Sequence, residues 1–350
     1  MGENRKKLYI NLFFVAVIFL LTLWSVFHGE DLGDVAEYLS EADPRYILLS
    51  IFCVLFFILG ESVIICYLMR TLGQRVPFFH CCLYSFIGFF FSCITPSASG
   101  GQPMQVVAMR KDRISVPVAT VVLAIVTITY KMVLVFIGCG VFLLRPARIM
   151  VCLEPVEPVM ILGILLNVIC ISLLLMLVFH PSFVRVAAGW ILALLHHFRP
   201  FKHPEKQMKR LEHLTDQYHG TAEFYKAHKH VMLQVFLLTF LQRCCLFLVT
   251  WFTYLAFGLP REHMTVLLTL QAMISVAADM LPLPGGMGIS ENLFLVIFLP
   301  FFGEELILPA MVLSRGIGYY TQLLISAVMT AAASFILKRA DNERKEISAA

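Results

Sequence analysis

The chain is built from long apolar stretches separated by short polar segments. The apolar stretches occupy residues 8–27, 46–69, 78–94, 114–144, 158–180, 231–257, 264–283, 292–302 and 305–337. A run of about 20 apolar residues is long enough to cross a bilayer as a helix. A membrane β-barrel would instead show alternating segments of about ten residues, and the sequence has none. The pattern predicts an all-α polytopic membrane protein.

Basic residues orient the first half, because Lys and Arg accumulate on the cytoplasmic side of membrane proteins. The N-terminal MGENRKK lies inside by this rule, and the acidic segment 28–45 lies outside. Two basic clusters, at 70–75 and 110–113, both indicate the cytoplasm although the apolar stretch 78–94 lies between them. We therefore predict that 78–109 is a re-entrant hairpin that enters from the cytoplasm and returns to it.

The second half repeats this plan upside down. Spans 158–180 and 231–257 flank the basic cytoplasmic loop 181–230, the hairpin 264–302 enters from outside, and the span 305–337 ends in the cytoplasm. The prediction is six transmembrane helices plus two oppositely oriented re-entrant hairpins in an inverted repeat, a plan common among transporters. Its units are a first repeat at 1–144, a second repeat at 145–338 and a cytoplasmic tail at 339–350.

The basic loop 181–230 leaves two interpretations open. Its first part is apolar around Trp190 with flanking Arg185 and Arg199, and its second part is polar and basic. This order fits a helix lying on anionic lipid of the inner leaflet. A plain cytoplasmic helical hairpin fits equally well.

Composition agrees with a membrane protein and narrows the chemistry. The chain is 59% hydrophobic and 14% charged, far from the roughly 25% charged residues of soluble domains. The net charge of +4 is small and scattered, which argues against nucleic acid as a partner. Neither the ten cysteines nor the histidines follow a metal-site spacing. We predict no metal, no cofactor and, since no nucleotide-binding or hydrolase motif occurs, no catalytic residue.

Two polar, glycine-rich tracts interrupt the apolar stretches: CITPSASGGQPMQ at 93–105 and LPLPGGMGISE at 281–291. Irregular backbone at membrane depth must be satisfied by protein or by water. A helix that starts there presents unpaired N–H groups, which attract anions, and the Ser99-x-x-Gln102 spacing suggests a capping box. Simple tight turns are the alternative. The predicted substrate-binding residues of these tips are Ser97, Ser99, Gly100, Gly101, Gln102, Gln105, Gly285, Gly286 and Gly288.

Ionisable residues inside apolar stretches are the second group of candidates, because each costs about 2.5–3.5 kcal/mol at the bilayer centre. We assign substrate binding to the basic residues, which would attract a phosphate. Glu291, near the second tip, is assigned to substrate binding as well, and its charge also suits the dipole of the helix that starts there. The other two acids are assigned to coupling or pairing. Mutual pairing that only holds the helices together is the alternative. The binding candidates are Lys131, Arg243, Arg315 and Glu291; the coupling or pairing candidates are Glu61 and Asp279. Tyr130, Tyr319 and Tyr320 are expected to pack.

The motifs ITPSASGGQPMQ and LPLPGGMGISEN, with RGIGYY in the last span, resemble the transmembrane region of lysylphosphatidylglycerol synthases. This region is the flippase domain of the multiple peptide resistance factor family, and the similarity covers residues 8–338. The resemblance implies a membrane part that moves lysylphosphatidylglycerol to the outer leaflet. In the family, a cytoplasmic aminoacyl-tRNA-dependent domain makes this lipid. Since the chain ends at Ala350, we expect a stand-alone member without the aminoacyltransferase domain.

The leading hypothesis is a flippase of the bacterial cytoplasmic membrane, with both termini in the cytoplasm. Its cargo would be an anionic or aminoacylated phospholipid or a lipid-linked headgroup, and we expect a transporter rather than an enzyme. The first alternative is a phosphatidylglycerol lysyltransferase that confers resistance to cationic antimicrobial peptides, as the family name implies. The second is a secondary transporter of a small anion. Besides lipid, the partners considered are a second copy of the chain and a separate lipid-modifying enzyme.

Overall fold

The computed structural model describes residues 32–95, 98–179, 204–281, 283 and 286–333. These residues form helices and contain no strand, so the all-α prediction is confirmed for them. The predicted span 8–27, the apolar part of the loop and the tail 339–350 lie outside the described residues. The helices are α1 Leu32–Glu41, α2 Pro44–Thr71, α3 Phe78–Cys93, α4 Gly101–Lys111, α5 Val116–Leu144, α6 Ala147–Leu153, α7 Glu157–Phe179, α8 Pro204–Ala227, α9 Lys229–Ala256, α10 Met264–Ala278 and α11 Ile289–Arg315.

Within the described ranges, five helical segments are long and apolar enough to cross a membrane. They contain five of the predicted spans; α6 and α7 join into one segment, and the last segment also includes the outgoing arm of the predicted second hairpin. The protein is therefore a multi-pass membrane protein; the predicted total of six spans includes 8–27 and stays a prediction. The five segments are Pro44–Thr71, Val116–Leu144, Ala147–Phe179, Lys229–Ala256 and Ile289–Ala333.

The predicted first hairpin is formed by the short helices α3 and α4. Its base is fastened where Nδ1 of His80 lies 2.6 Å from Oδ2 of Asp112 and the Tyr84 hydroxyl donates to the same oxygen. Near the tip the two helices touch, because a Cβ placed on Gly101 would lie 2.7 Å from the carbonyl oxygen of Gly88. Glycine at this crossing lets the two arms pack backbone to backbone.

The predicted second hairpin consists of α10 and the first half of α11. Gly288 precedes α11 with a φ of 82°, and Gly303 interrupts α11 with φ 73° and ψ 173°. Both residues have the positive φ that favours glycine. The helix breaks at Gly303, between the predicted hairpin arm and the predicted last span. Beyond Arg315 the chain passes through a π-helical turn, Gly316–Thr321, and continues as a helix to Ala333.

Helices α2 and α9 make the most extensive helix–helix contact among the described residues. Nε2 of Gln242 on α9 donates to the carbonyl oxygen of Phe57 on α2 over 2.7 Å, and a Cβ on Gly60 would lie 2.8 Å from the Gln242 side chain. The tips of the two hairpins meet beside this pair, where Cys93 and Met287 share a buried cluster with Tyr319. The fold therefore brings both glycine-rich tracts to one place.

Helix α8 forms the second part of the predicted basic loop. Its side chains, described from residue 216 onward, pack under the bundle. The hydroxyl of Tyr225 donates to the carbonyl oxygen of Leu68 over 2.7 Å, and that of Tyr218 donates to the carbonyl oxygen of Leu177 over 3.3 Å. Burial raises the pKa of Tyr218 to about 12. This part of the loop is thus a docked helix. The two interpretations of the loop differ in its apolar part, which lies outside the described residues, so both stay predictions.

A close backbone contact between a span and the second hairpin lies at Gly163 on α7, and it gives a test of the packing. A Cβ there would lie 2.6 Å from the carbonyl oxygen of Val276 and 2.7 Å from Cα of Ala277. We expect Gly163→Val to destabilise the protein by about 1–3 kcal/mol, because backbone must shift. Thermal unfolding in detergent measures the loss. Gly140→Val is the matched control, since a Cβ at Gly140 meets nothing within 4 Å; equal melting temperatures for the two variants would contradict the packing.

Candidate functional site

A cavity of about 520 Å³ lies where the two hairpin tips meet. Its walls come from both tips and from helices α2, α5, α7, α9 and α11. The structure brings most of the predicted site residues to this cavity: Glu61, Ser99, Gln102, Gln105, Lys131, Arg243, Asp279, Gly286 and Arg315. Gly100, Gly101, Gly288 and Glu291 do not line it directly, and Ser97 and Gly285 lie outside the described residues.

Lys131 and Asp279 form an ion pair in the cavity wall. Nζ of Lys131 on α5 lies 2.5 Å from Oδ2 of Asp279 at the second tip, and the side chains are 9% and 13% exposed. The Tyr130 hydroxyl donates to the other carboxylate oxygen of Asp279. The helix that follows the first hairpin therefore holds the tip of the second hairpin.

Arg315 and Glu291 form the second ion pair. Nε of Arg315 lies 2.8 Å from Oε1 of Glu291, which is 3% exposed in the first turn of α11. Four residues after Arg315, the Tyr319 hydroxyl donates to the carbonyl oxygen of Cys93 at the first tip over 2.8 Å. The helix that follows the second hairpin therefore holds the tip of the first, which is the reciprocal of the contact made by Lys131.

Arg243 differs from the other two cations of the cavity. Its guanidinium carbon lies 3.5 Å from the centre of the Tyr130 ring and 4.8 Å from that of Phe57. Among the residues that the structure describes, it has no carboxylate within 4.0 Å, and its buried Nε has no hydrogen-bond partner. Aromatic faces stabilise the cation without neutralising it. The cavity therefore presents one positive charge that an anion can approach.

Glu61 faces the same cavity from α2. Its Oε1 accepts a hydrogen bond of 2.8 Å from Nε2 of Gln105 on α4. Gln105 reaches it by crossing Gly88, where a Cβ would lie 2.3 Å from the same nitrogen. Arg243 and Glu61 line the same cavity without the ion-pair contact that joins the other two pairs of described residues. Mutual pairing thus explains four of the six ionisable candidates and leaves these two.

The predicted capping box at the first tip is wrong. Helix α4 begins at Gly101 with Gly100 as its N-cap residue, and no side chain caps it. The N–H of Gly100 donates to Oγ1 of Thr95 over 2.9 Å. Nε2 of Gln102 instead donates to Thr127. The Gln102 amide finds acceptors on α5 because the hairpin packs against that helix, which a local motif does not reveal.

Several neutral polar residues of the cavity were missed as site candidates. Thr127, Gln271 and Ser314 line it, and Tyr130 lines it although packing was expected. Helical spacing could have revealed Thr127 and Tyr130. Both lie on the same face of α5 as Lys131, since residues three and four apart are neighbours on a helix. Tyr319 lines the cavity too, while Tyr320 packs beside the cluster of Cys93, Met287 and Tyr319.

One side of the cavity is apolar. Leu123, Val126, Cys170 and Leu174 line it there, from α5 and α7. Helix α7 has most of its apolar surface exposed. In the most apolar stretch of the segment Ala147–Phe179, 17% is buried inside the protein. A helix that is apolar all round and exposed faces lipid in a membrane protein. The wall of the cavity therefore combines charged groups with residues of a lipid-facing helix.

Comparison with known protein families gives a match over most of the chain. The family model described as "Lysylphosphatidylglycerol synthase TM region" matches residues 11–326. No curated protein matches the chain. The family match includes both hairpins and all of helices α1 to α11.

The buried pair Lys131–Asp279 predicts a specific pattern of stability. Lys131→Met leaves Asp279 without its cation, and Asp279→Leu does the reverse. Each single change should cost about 3–5 kcal/mol, whereas the double variant should cost less than either, because no uncompensated charge remains. Unfolding by denaturant in mixed micelles measures all three. Glu304→Gln, at an exposed carboxylate, is the control, and additive losses in the double variant would show that the pair is not coupled.

Proposed function

The chain belongs to the lysylphosphatidylglycerol synthase TM region family, and from this membership and the cavity we propose that it moves a lipid headgroup between the two leaflets. The membership supports a function related to membrane lipid. The single observation that carries translocation is Arg243, which has no carboxylate partner among the described residues, inside a cavity whose wall includes the lipid-facing helix α7. Aminoacyl transfer by the protein is the alternative that the family name suggests, and lysyl transfer from charged tRNA by the purified chain would establish it.

Arg243 is the proposed anchor for the phosphate. A guanidinium offers a planar set of N–H donors that matches phosphate oxygens. Tyr130 and Phe57 hold the plane in place, so little side-chain freedom is lost when the anion binds. Lys131 and Arg315 are already paired with carboxylates and support the positive end of the cavity less directly.

The apolar edge of the cavity favours a lipid over a small soluble anion. Leu123, Val126, Cys170 and Leu174 line the cavity beside the lipid-facing helix α7. Acyl chains that stay in the bilayer keep their apolar surroundings while only the headgroup enters the cavity. A soluble anion would gain nothing from this wall.

The two hairpins are the proposed moving parts. We propose that both are re-entrant and that they belong to an inverted repeat, which supports alternating access. The reciprocal contacts of Lys131 with the second tip and of Tyr319 with the first tip would break and form in turn. The π-helical turn Gly316–Thr321 beside the cavity and the break at Gly303 are places where the last helix can bend.

Re-entrance predicts that both ends of each hairpin are accessible from one side. In a chain whose native cysteines are replaced, Arg75→Cys and Lys111→Cys should both react with an impermeant maleimide from the cytoplasmic side. His263→Cys and Glu304→Cys should both react from the outer side. Inverted and right-side-out vesicles separate the two sides. Labelling of Arg75→Cys and Lys111→Cys from opposite sides would mean that 78–109 crosses the membrane.

Translocation predicts a specific effect at Arg243. In proteoliposomes with acyl-labelled phospholipids, Arg243→Gln should slow headgroup movement by about tenfold or more, because removing one partner of a buried charge interaction is costly. Arg243→Lys should retain part of the rate, since the charge stays but the planar stacking is lost. Exposure of the labelled lipid to an impermeant quencher measures the rate.

Arg261→Gln is the matched control for Arg243→Gln. Arg261 lies outside the cavity and donates to the Tyr46 hydroxyl over 3.2 Å, so its loss should leave the rate unchanged. The melting temperature of each variant shows whether it is folded. A folded Arg243→Gln protein that moves lipid as fast as the wild type would overturn the proposed anchor.

A further inference from the structure

The ionisable candidates in and beside the cavity are three acidic and three basic residues. Four of them form two ion pairs, and two do not. Lys131 contacts Asp279 and Arg315 contacts Glu291. Arg243 and Glu61 are the couple left over, one of each sign. Both line the cavity, and neither belongs to an ion pair among the described residues.

Arg243 and Glu61 each contact neutral neighbours rather than each other. Tyr130 and Phe57 take the faces of the guanidinium, whereas Gln105 donates to the carboxylate. Glycine at position 88 makes the path of Gln105 possible. If these neighbours were absent, opposite charges in a medium of low dielectric constant would pair directly. The arrangement therefore keeps a positive and a negative charge exposed to the same cavity.

We propose that the translocated headgroup is zwitterionic, with one phosphodiester that binds Arg243 and one ammonium group that binds Glu61 and Gln105. The inference rests on the proposed lipid translocation and names the chemical class of the cargo. Phosphoethanolamine-type headgroups have this chemistry. Lysylphosphatidylglycerol differs, because it carries one phosphodiester and two ammonium groups.

Charge balance in the cavity discriminates among the headgroups. A zwitterion places its negative group on Arg243 and its positive group on Glu61, so no charge is left uncompensated in an environment where that is costly. A headgroup with a phosphodiester alone leaves Glu61 facing an added negative charge. A headgroup with two ammonium groups brings one that finds no carboxylate free of a cation among the described cavity residues, since Asp279 and Glu291 are paired.

The test compares three acyl-labelled lipids in proteoliposomes of an uncharged glycolipid, whose headgroup has neither a phosphodiester nor an ammonium group, with an imposed proton gradient of either polarity. The probes are phosphatidylethanolamine, phosphatidylglycerol and lysylphosphatidylglycerol. We expect the wild type to move phosphatidylethanolamine about tenfold faster than the other two, which corresponds to about 1.4 kcal/mol. Glu61→Gln should reverse the preference between phosphatidylethanolamine and phosphatidylglycerol, because the carboxylate that binds ammonium and repels a lone phosphodiester is gone.

Glu61→Asp and Glu304→Gln are the controls. The first keeps the charge and should keep the preference, and the second changes an exposed carboxylate and should change nothing. Equal wild-type rates for the three lipids, or an unchanged preference in folded Glu61→Gln, would overturn the zwitterionic cargo and leave translocation standing. Movement of none of the three lipids by folded wild-type protein would overturn both proposals.

Discussion

Charge inside an apolar bundle is the constraint on which the rest of the structure depends. Each ionised side chain at membrane depth must find a partner or a polar cavity, because hydrocarbon offers neither. Lys131 and Arg315 find carboxylates. These two pairs do more than cancel charge, since Lys131 reaches from α5 to the second tip, while Tyr319, one turn beyond Arg315, reaches the first tip. The polar groups therefore also position the hairpins.

Glycine makes this arrangement geometrically possible. At Gly101 the two arms of the first hairpin leave no room for a Cβ, which would lie 2.7 Å from the carbonyl oxygen of Gly88. At Gly88 the Gln105 side chain passes across α3 to Glu61. Packing of this kind replaces the hydrophobic effect, which does not drive association between helices in lipid. The glycines and the charges thus depend on each other. Close packing at the glycines brings the polar groups together, and the contacts of the polar groups fix the packing.

The sequence predicted a large part of the helices and of the cavity, because both follow from local signals. Apolar run length located the spans, and charges within those runs located Lys131, Arg243, Arg315, Glu61 and Asp279. The sequence could not predict which charged residues form ion pairs. Lys131 and Asp279 lie far apart in the chain, and either could have paired with another candidate. The start of α4 was mispredicted because Thr95, rather than Ser99, bonds the N–H at the tip, a choice made by the fold of the turn.

Tyr130 connects the position of the second tip to the state of Arg243. Its hydroxyl donates to Asp279 at that tip, and its ring centre lies 3.5 Å from the guanidinium carbon of Arg243. On the proposed mechanism, a displacement of the tip would pull on the ring against which Arg243 stacks. Loss of this stacking would free the guanidinium of the proposed phosphate anchor to turn toward the carboxylate of Glu61, and both proposed headgroup contacts would then be lost together. One side chain thus couples the geometry of a hairpin to the availability of the proposed binding charges.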